Sequence, residues 1–412
     1  MAYSILQQPE LYAPAYNDQI YVVTSSNNGQ TNFNYIARVY IGSDVITIKA
    51  PANPTYGSGV FNIGRVIEAY VNSDIDKTYG IQKNLTSYKA YYVVFGEEYG
   101  STVVQYLSLT TTVTKYVWNG IFDFLDAQTF AYGDHSLDGT GLGGRGLVLS
   151  NAAQFFTQKI LDADYHWLHW FANDTTKLSH IEVKSYDTNG ALVKTVGVQN
   201  PTLYQSSGTI TNHFMRFGGA KAQLNQITSP DLRYGTTPVI PTTATSYTLE
   251  FQNASSGVVA GGITYNIQEA DCKYTNYRLH FLNELGGFDA FNFTKLSRKE
   301  TDINRMQYKA PIGALTSASI FGYAKKDRGD RQYFISTKET IKIKSDWLTD
   351  LEIEMLKELV ESPEIYLDDS VHGLVSVTCS VSKFDTKTVL NDKLFNLEID
   401  VKYSFDRYRQ RY

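Results

Sequence analysis

Cysteine is nearly missing: Cys272 and Cys379 are the only two in 412 residues. Two thiols in so long a chain exclude the framework of bridges that holds small secreted domains together. One bridge between them stays open as an alternative, with free core thiols the expected state. Charge is scarce as well, at 19% of residues against the usual quarter. The net charge is −5 and the pI about 5.8, a balance with no drive toward nucleic acid or an anionic membrane. Only the terminal "DRYRQRY" reads as locally basic, and a solvated or docked terminus accounts for it. No apolar run reaches 18 residues, so no transmembrane helix is expected. The opening "MAYSILQQPELYAPAYND" lacks a basic segment followed by an apolar one, so no signal peptide is expected and synthesis and folding in a cytoplasm are. Sequons such as Asn84-Leu85-Thr86 then carry no information.

Motifs of chemistry are equally thin. Gly141, Gly143 and Gly146 spell G-x-G-x-x-G, but dinucleotide binding needs a buried strand before that motif and a helix after it. The preceding "FAYGDHSLDGT" is polar, so a flexible loop is expected. No Gly-Lys-Ser/Thr of a phosphate loop and no G-x-S-x-G elbow is present. His166 and His169 of "YHWLHW" would point to opposite faces of a strand, with His180 nearby. Aromatic packing in a sandwich suits them better than a metal site, which needs converging ligands. Asp134 and Asp138 lack the spacing of a calcium loop and read as a solvated turn. Arg328-Gly329-Asp330 sits in "KKDRGDRQ", which reads as a polar hairpin tip. No enzyme, cofactor or metal site is therefore expected, although glycosidase carboxylates meet in space rather than in sequence.

Aromatic residues are what the chain has in quantity: 14%, with 31 Tyr against 4 Met. Tyr, Thr, Val and Ile favour pleated, half-buried surfaces, and Tyr suits large contact surfaces. The expected fold is mainly β, with tandem antiparallel β-sandwich modules over 1–118 and 119–270, then a C-terminal α+β module over 271–412. In the first, "QIYVVTSS" and "FNYIARVYI" flank the turn "NNGQ", a hairpin signal. "VFNIGRVIEAYV" spaces Ile63, Val66, Ile67 and Tyr70 as a short helix, capped by Asn62. In the second, "YDTNGALV" predicts another Asn-Gly hairpin. In the third, "SDWLTDLEIEMLKELVESP" predicts an amphipathic helix over about 347–361 on an antiparallel sheet. Its apolar stripe is Leu348, Leu351, Met355 and Leu359, Thr349 and Glu352 have capping-box spacing, and Pro363 is its stop.

The segment opening the third module, "NYRLHFLNELGGFDAFNFTKLSRKETDINRMQY", resembles a segment of tail structural proteins from phages that infect Bacteroidetes, including crAss-like podoviruses. "KIKSDWLTDLEIEMLKELVESPEIYL" and "NDKLFNLEIDVKYSFDRYRQRY" agree with it, as do the N-terminal "NDQIYVVTSSNNGQTNFNYIARVYI" and "GVFNIGRVIEAYV". The middle of the chain does not align. The resemblance implies a virion protein made in the host bacterium: a ring, collar or adaptor subunit of the tail, in a homo-oligomer of six or twelve copies, beside other tail or portal-proximal proteins. It attaches no catalytic residues. A glycan- or receptor-binding role is the alternative, resting on "YHWLHW" and "DHSLDGTGLGGRG", and a glycan-degrading tail enzyme is the third. Within the resembling segment, Leu279, Phe281 and Leu282 read as a core strand, Gly286-Gly287 as a turn, and "SRKETDINR" as a polar rim or hairpin tip. "FDAFNF" puts Phe288 on one face and Phe291 and Phe293 on the other, so one face is expected to meet another module or subunit. Phe288, Phe291, Phe293, Trp347, Tyr408 and Tyr412 are the expected assembly contacts.

Overall fold

Runs such as "IYVVT" and "NYIARVYI" bury largely alternate residues, as a pleated strand with one inward face requires. In a computed structural model of the chain, strand accounts for 51% of residues and helix for 7%, the mainly β, sandwich-like architecture expected. The structure describes residues 3–76, 78–123, 125, 148–150, 157–173, 178–201, 212–255, 257–269, 273–380 and 396–408, with backbone alone at 172–173, 212–213 and 259–261. Contacts divide the chain into two units. Unit 1 is Met1–Glu269 with Phe281–Ala290; unit 2 is Ala270–His280 with Phe291–Tyr412.

Unit 1 begins with β1 (Ser4–Gln7), β2 (Tyr12–Pro14), β3 (Ile20–Thr24), β4 (Asn34–Ile41), β5 (Asp44–Pro51), β6 (Gly59–Asn62), α1 (Gly64–Ile67), β7 (Ile81–Lys83), β8 (Tyr88–Tyr99), β9 (Val104–Thr111) and β10 (Lys115–Trp118). One sheet runs β1-β3-β6, and a second runs β2-β10-β8-β4-β5 with β9 on β8. Tyr21, Val23, Tyr35, Ala37, Val39, Phe61, Tyr91, Val93 and Phe95 form the buried core of this half. The "NNGQ" turn does not close a hairpin: β3 pairs with β1 and β6, β4 with β5 and β8. Its polar groups reach elsewhere, Asn27 Nδ2 donating to Glu97 Oε1 at 2.6 Å and Asn28 Nδ2 to the Gly57 carbonyl at 3.0 Å. The true hairpin is β4–β5 across Gly42, at φ +57°, where a glycine costs no strain. The helix predicted in "VFNIGRVIEAYV" is also cut short. "VFN" joins β6, and α1 is one turn followed by a 3-10 turn at Glu68–Tyr70. Asn62 lies in the strand, yet its Oδ1 accepts from the Gly64 amide at 3.1 Å.

The chain continues through β11 (Gln158–Ile160), β12 (Trp167–Asn173), β13 (His180–Tyr186), β14 (Leu192–Gln199), β15 (Asn212–Gly218), α2 (Lys221–Leu224), β16 (Leu232–Tyr234), β17 (Ser246–Gln252) and β18 (Val258–Ile267). A six-stranded sheet runs β11-β18-β17-β13-β14-β16, and a three-stranded one runs β12-β15-β7. "YDTNGALV" forms the predicted hairpin, with Gly190 at φ +78°. The third strand of the smaller sheet, β7, comes from the first 118 residues and pairs Ile81 with Phe217 and Lys83 with Met215. Beside it, Arg216 donates to Asp76 at 2.8 Å and to Gln82 at 3.1 Å and lies 3.1 Å from Asp74. This strand exchange is why both expected sandwiches fall in one unit rather than parting at 118. A third cluster, of Tyr12, Trp118, Phe122, Leu149, Phe171, Phe214 and Leu285, gathers residues from both halves and from the 281–290 insertion. Trp118 packs edge-on to Phe171 at 4.8 Å and donates its indole N–H to the Leu285 carbonyl at 3.1 Å.

The remaining elements are β19 (Tyr277–Leu282), β20 (Phe288–Phe293), β21 (Arg298–Lys309), β22 (Ala314–Ser317), β23 (Ile320–Gly322), β24 (Asp330–Lys344), α3 (Asp350–Glu361), β25 (Ile365–Asp369), β26 (Gly373–Cys379), β27 (Glu398–Tyr403) and β28 (Arg407–Tyr408). They form one sheet, β20-β19-β25-β26-β27-β24-β21 with β28 on β24, and a separate β22–β23 hairpin. The capping box is real: Glu352 N donates to Thr349 Oγ1 at 3.3 Å and Thr349 N to Glu352 Oε2 at 2.9 Å. The helix starts at Asp350 rather than near 347, because Thr349 is the cap and is extended. Its buried face is Ile353, Met355, Leu356 and Leu359, whereas Leu351 of the predicted stripe is exposed. Among the described residues no helix is long and apolar enough to cross a membrane.

Trp118 is fully buried at the joint of unit 1. Trp118→Ala is expected to lower stability by about 3–5 kcal/mol, read as a shift in the urea midpoint, while Trp118→Phe should recover much of the loss.

Candidate functional site: an exposed hairpin arm

The structure scatters the expected assembly residues. Phe288 is buried, 6.4 Å from the His169 ring, and Phe293 is fully buried with Phe291 half-buried edge-on to it at 5.2 Å. Phe288 and Phe293 are therefore covered by this chain itself, a correction to their expected place among the assembly contacts. Core strands bury both faces, and "FDAFNF" is such a strand. Trp347 and Tyr408 are exposed, Tyr408 resting 5.8 Å from Phe334. Tyr412 lies outside the described residues, as do Cys272, Asp134, Asp138 and the glycines at 141, 143 and 146.

The turn after β19 is locked by a buried polar network. Asn283 Nδ2 donates to the Leu149 carbonyl and to Asp289 Oδ2, both at 2.9 Å, and its Oδ1 accepts from Gly287 N at 2.9 Å. Ser150 Oγ donates to the other Asp289 oxygen. Burial pushes the Asp289 carboxyl up to about 6, against the lowering effect of these two donors. Gly286 sits at φ +86°, and a Cβ there would strike the Asn119 carbonyl oxygen. The Ser150 hydroxyl is spent on a carboxylate with both groups sealed from solvent, an arrangement that braces a turn.

"YHWLHW" is buried too. His166 Nδ1 bonds the Tyr265 hydroxyl at 2.8 Å, while His169 lies 5.6 Å from the Phe214 ring. Burial, then the nearby Arg216 charge, pushes His169 down to about 3. Trp167 and Trp170 are equally covered, and only Tyr165 of this stretch is half-buried, stacked on Trp167 at 6.2 Å. Glu182 and Glu250 come close across β13 and β17, at 3.0 and 2.8 Å from Lys184 Nζ. A glycosidase acid needs a raised carboxyl. Burial would raise Glu182, but hydrogen bonds from Tyr234 and Lys184 outweigh it and hold the group below its ordinary range. Among the described residues no group of three or more His, Cys, Asp and Glu could hold a metal ion.

What stands out instead is residues 298–344. "SRKETDINR" is no rim: it opens β21, whose twelve residues are all exposed and pair with β24 from Arg298↔Lys342 to Lys309↔Asp330. β24 also meets β27 over Thr340–Lys344 and β28 at Ser336 and Thr337. Beyond Ser336, no third strand joins the pair among the described residues. Its distal turn region carries the β22–β23 hairpin, so the ribbon is an arm. A two-stranded ribbon is marginal alone in water, yet this one exposes Ile312, Leu315, Ile320, Phe321 and Tyr323 near its end, Leu315 at 70% and Tyr323 at 76%. Met306, Tyr308 and Tyr333 are exposed below them. Eleven Lys and Arg and five Asp and Glu give 298–344 a net +6 on a chain of net −5. The arm, not only the C-terminal tail, is thus the basic part of the molecule. A windowed charge count over the sequence would have found it, whereas whole-chain balance hid it.

At the arm's base in unit 2 lies an open groove of about 660 Å³, lined by Lys299, Glu339, Asp369, His372, Tyr403 and Arg407 among others. An Arg407–Glu339 ion pair at 3.1 Å and a His372–Asp369 hydrogen bond at 3.3 Å occupy its walls. A scan against protein-family models and a search of curated proteins each find no match.

The Asp289 shift has a pH consequence. A carboxyl raised from 3.8 to about 6 by folding favours the folded state most below 3.8, and that contribution is lost as pH rises through about 6. Asp289→Asn cannot ionise, so its urea midpoint relative to the parent should rise across this interval; parallel midpoints would show that Asp289 does not titrate there.

Proposed function

We propose that the chain is a structural virion protein, a ring, collar or adaptor subunit of a phage tail that works through protein–protein contacts. The observation that carries this reading is the arm: a basic ribbon, exposed along all of β21, with five large apolar side chains uncovered near its end. Contiguous apolar exposure on a soluble chain marks a surface meant to be covered by a partner. The resemblance of 276–308, 342–367 and 391–412 to tail structural proteins of Bacteroidetes phages supports the setting. In this reading the chain is made in the host cytoplasm and ends in the tail. Six or twelve copies form a ring beside other tail or portal-proximal proteins, with no direct contact to nucleic acid or membrane. Trp347 and Tyr408 stay among the assembly contacts because both are exposed.

Quantitative mass spectrometry of purified virions tests the setting. Six or twelve copies per particle are expected; about three would indicate a fibre-like adhesin, and absence from the particle would sink the proposal. Leu315→Asp with Phe321→Asp tests the arm. The fold should lose no more than about 0.5 kcal/mol, since both side chains are exposed, while particle assembly should fail. Normal particles containing the double variant would rule the arm out as an assembly element.

A further inference from the structure

We propose that the arm of one copy docks on the outer face of α3 in a second copy of this chain. The inference deepens the assembly reading and rests on it for its setting, but the partner is read from charge, exposure and reach. Residues 346–364 carry seven Asp and Glu and one Lys, against the arm's +6; Glu352 is buried in the capping box and Asp346 pairs with Lys295 at 3.0 Å, so the outer charge comes from the acids of the helix, with Lys357 exposed among them. On the helix, Asp350, Glu354 and Glu361 are exposed along one side. Two apolar side chains break that acidic face, Trp347 at 54% exposure and Leu351 at 48%. They match in kind the uncovered Leu315, Phe321 and Tyr323 of the arm, which are flanked by exposed Lys325, Lys326 and Arg331.

The helix itself points the same way. No basic residue occupies its last turn, while the exposed Glu361 stands there at the negative end of the helix dipole. That placement is unfavourable in an isolated chain, and cations brought by a partner relieve it.

Reach excludes the arm's own helix. β24 runs from Asp330 to Lys344 with one slip of register at Tyr333, about 45 Å at 3.3 Å per residue, and α3 begins only six residues later. The arm's end thus lies far from the α3 it leads into, and a paired ribbon does not fold back on itself. Arg305 to Tyr333 supplies 29 residues, within the roughly 20–30 per partner of a stable interface. Each copy offers both an arm and a helix, so the contact closes as a reciprocal pair under two-fold symmetry and as a ring when it repeats head-to-tail with a closing rotation.

The test uses the full-length chain in sedimentation velocity and native mass spectrometry over a series of concentrations and salt. Wild type should self-associate, more weakly as salt rises. Lys325→Glu, Lys326→Glu and Arg331→Glu together, or Glu354→Lys with Glu361→Lys, should each weaken association at least tenfold without altering far-UV circular dichroism. An equimolar mixture restores one unaltered pairing, the arm of the helix variant on the helix of the arm variant, and should recover association in pairs. A wild-type chain that stays monomeric to about 100 µM overturns the inference, as do variants that associate like wild type or a mixture that does not recover. Monomeric protein found at ring copy number in virions would remove this contact and leave the assembly reading standing, with another tail protein on the arm. Self-association by a protein absent from virions would do the reverse.

Discussion

The close approach of two glycines to neighbouring backbone is the constraint on which unit 1 depends. At Gly286 a Cβ would strike the Asn119 carbonyl, and at Gly287 the Leu149 carbonyl. Only because both positions lack a side chain can Asn283 reach Leu149 and Asp289, and can Leu285 accept the Trp118 indole N–H. One turn is thus gripped by backbone from the end of the first sandwich and the start of the second. The exchange of β7 into the β12–β15 sheet ties the same two halves again, with Arg216 bonded to Asp76 and Gln82 beside it. Burial would raise the Asp76 carboxyl, but hydrogen bonds from Thr78 and the Arg216 charge outweigh it and keep the group ionised. Two modules that share a strand, a turn and an aromatic cluster fall in one unit by contact.

Against that covered interior, the arm is an anomaly. Natural sheets blunt their exposed edges with charge, and β21 does so with Arg298, Lys299, Glu300, Asp302, Arg305 and Lys309. Past that charged stretch the arm exposes leucine, isoleucine, phenylalanine and tyrosine instead. Edge protection that ends where apolar exposure begins fits a surface kept soluble until its partner arrives. The acidic face of α3 has the opposite sign and the same mixture of charge with uncovered Trp347 and Leu351. Charge of this kind sets register and encounter rate more than affinity, which comes from the apolar contacts it guides together.

Local chemistry was legible wherever it is self-contained. The Thr349–Glu352 box, the Asn-Gly hairpin at 187–191 and the Gly286-Gly287 turn form as read, because each is decided by a few adjacent residues. The "NNGQ" turn failed as a hairpin because its donors found partners at Gly57 and Glu97, far along the chain. Leu351 failed as a core position because helix rotation is set by what packs against it. Phe288 and Phe293 failed as a surface because burial belongs to neighbours, not to alternation.

By itself the sequence determined the class of fold, the strand-forming runs, the caps and the glycine turns, since these rest on intrinsic geometry and short-range hydrogen bonds. It also contained the arm's charge. Only the tertiary structure decided which strands share a sheet, that β7 crosses into the second sandwich, that the His and Trp of "YHWLHW" face inward, and that 298–344 stands exposed. Those outcomes depend on contacts between residues tens to hundreds of positions apart, and no local pattern encodes which distant surface will cover a given face.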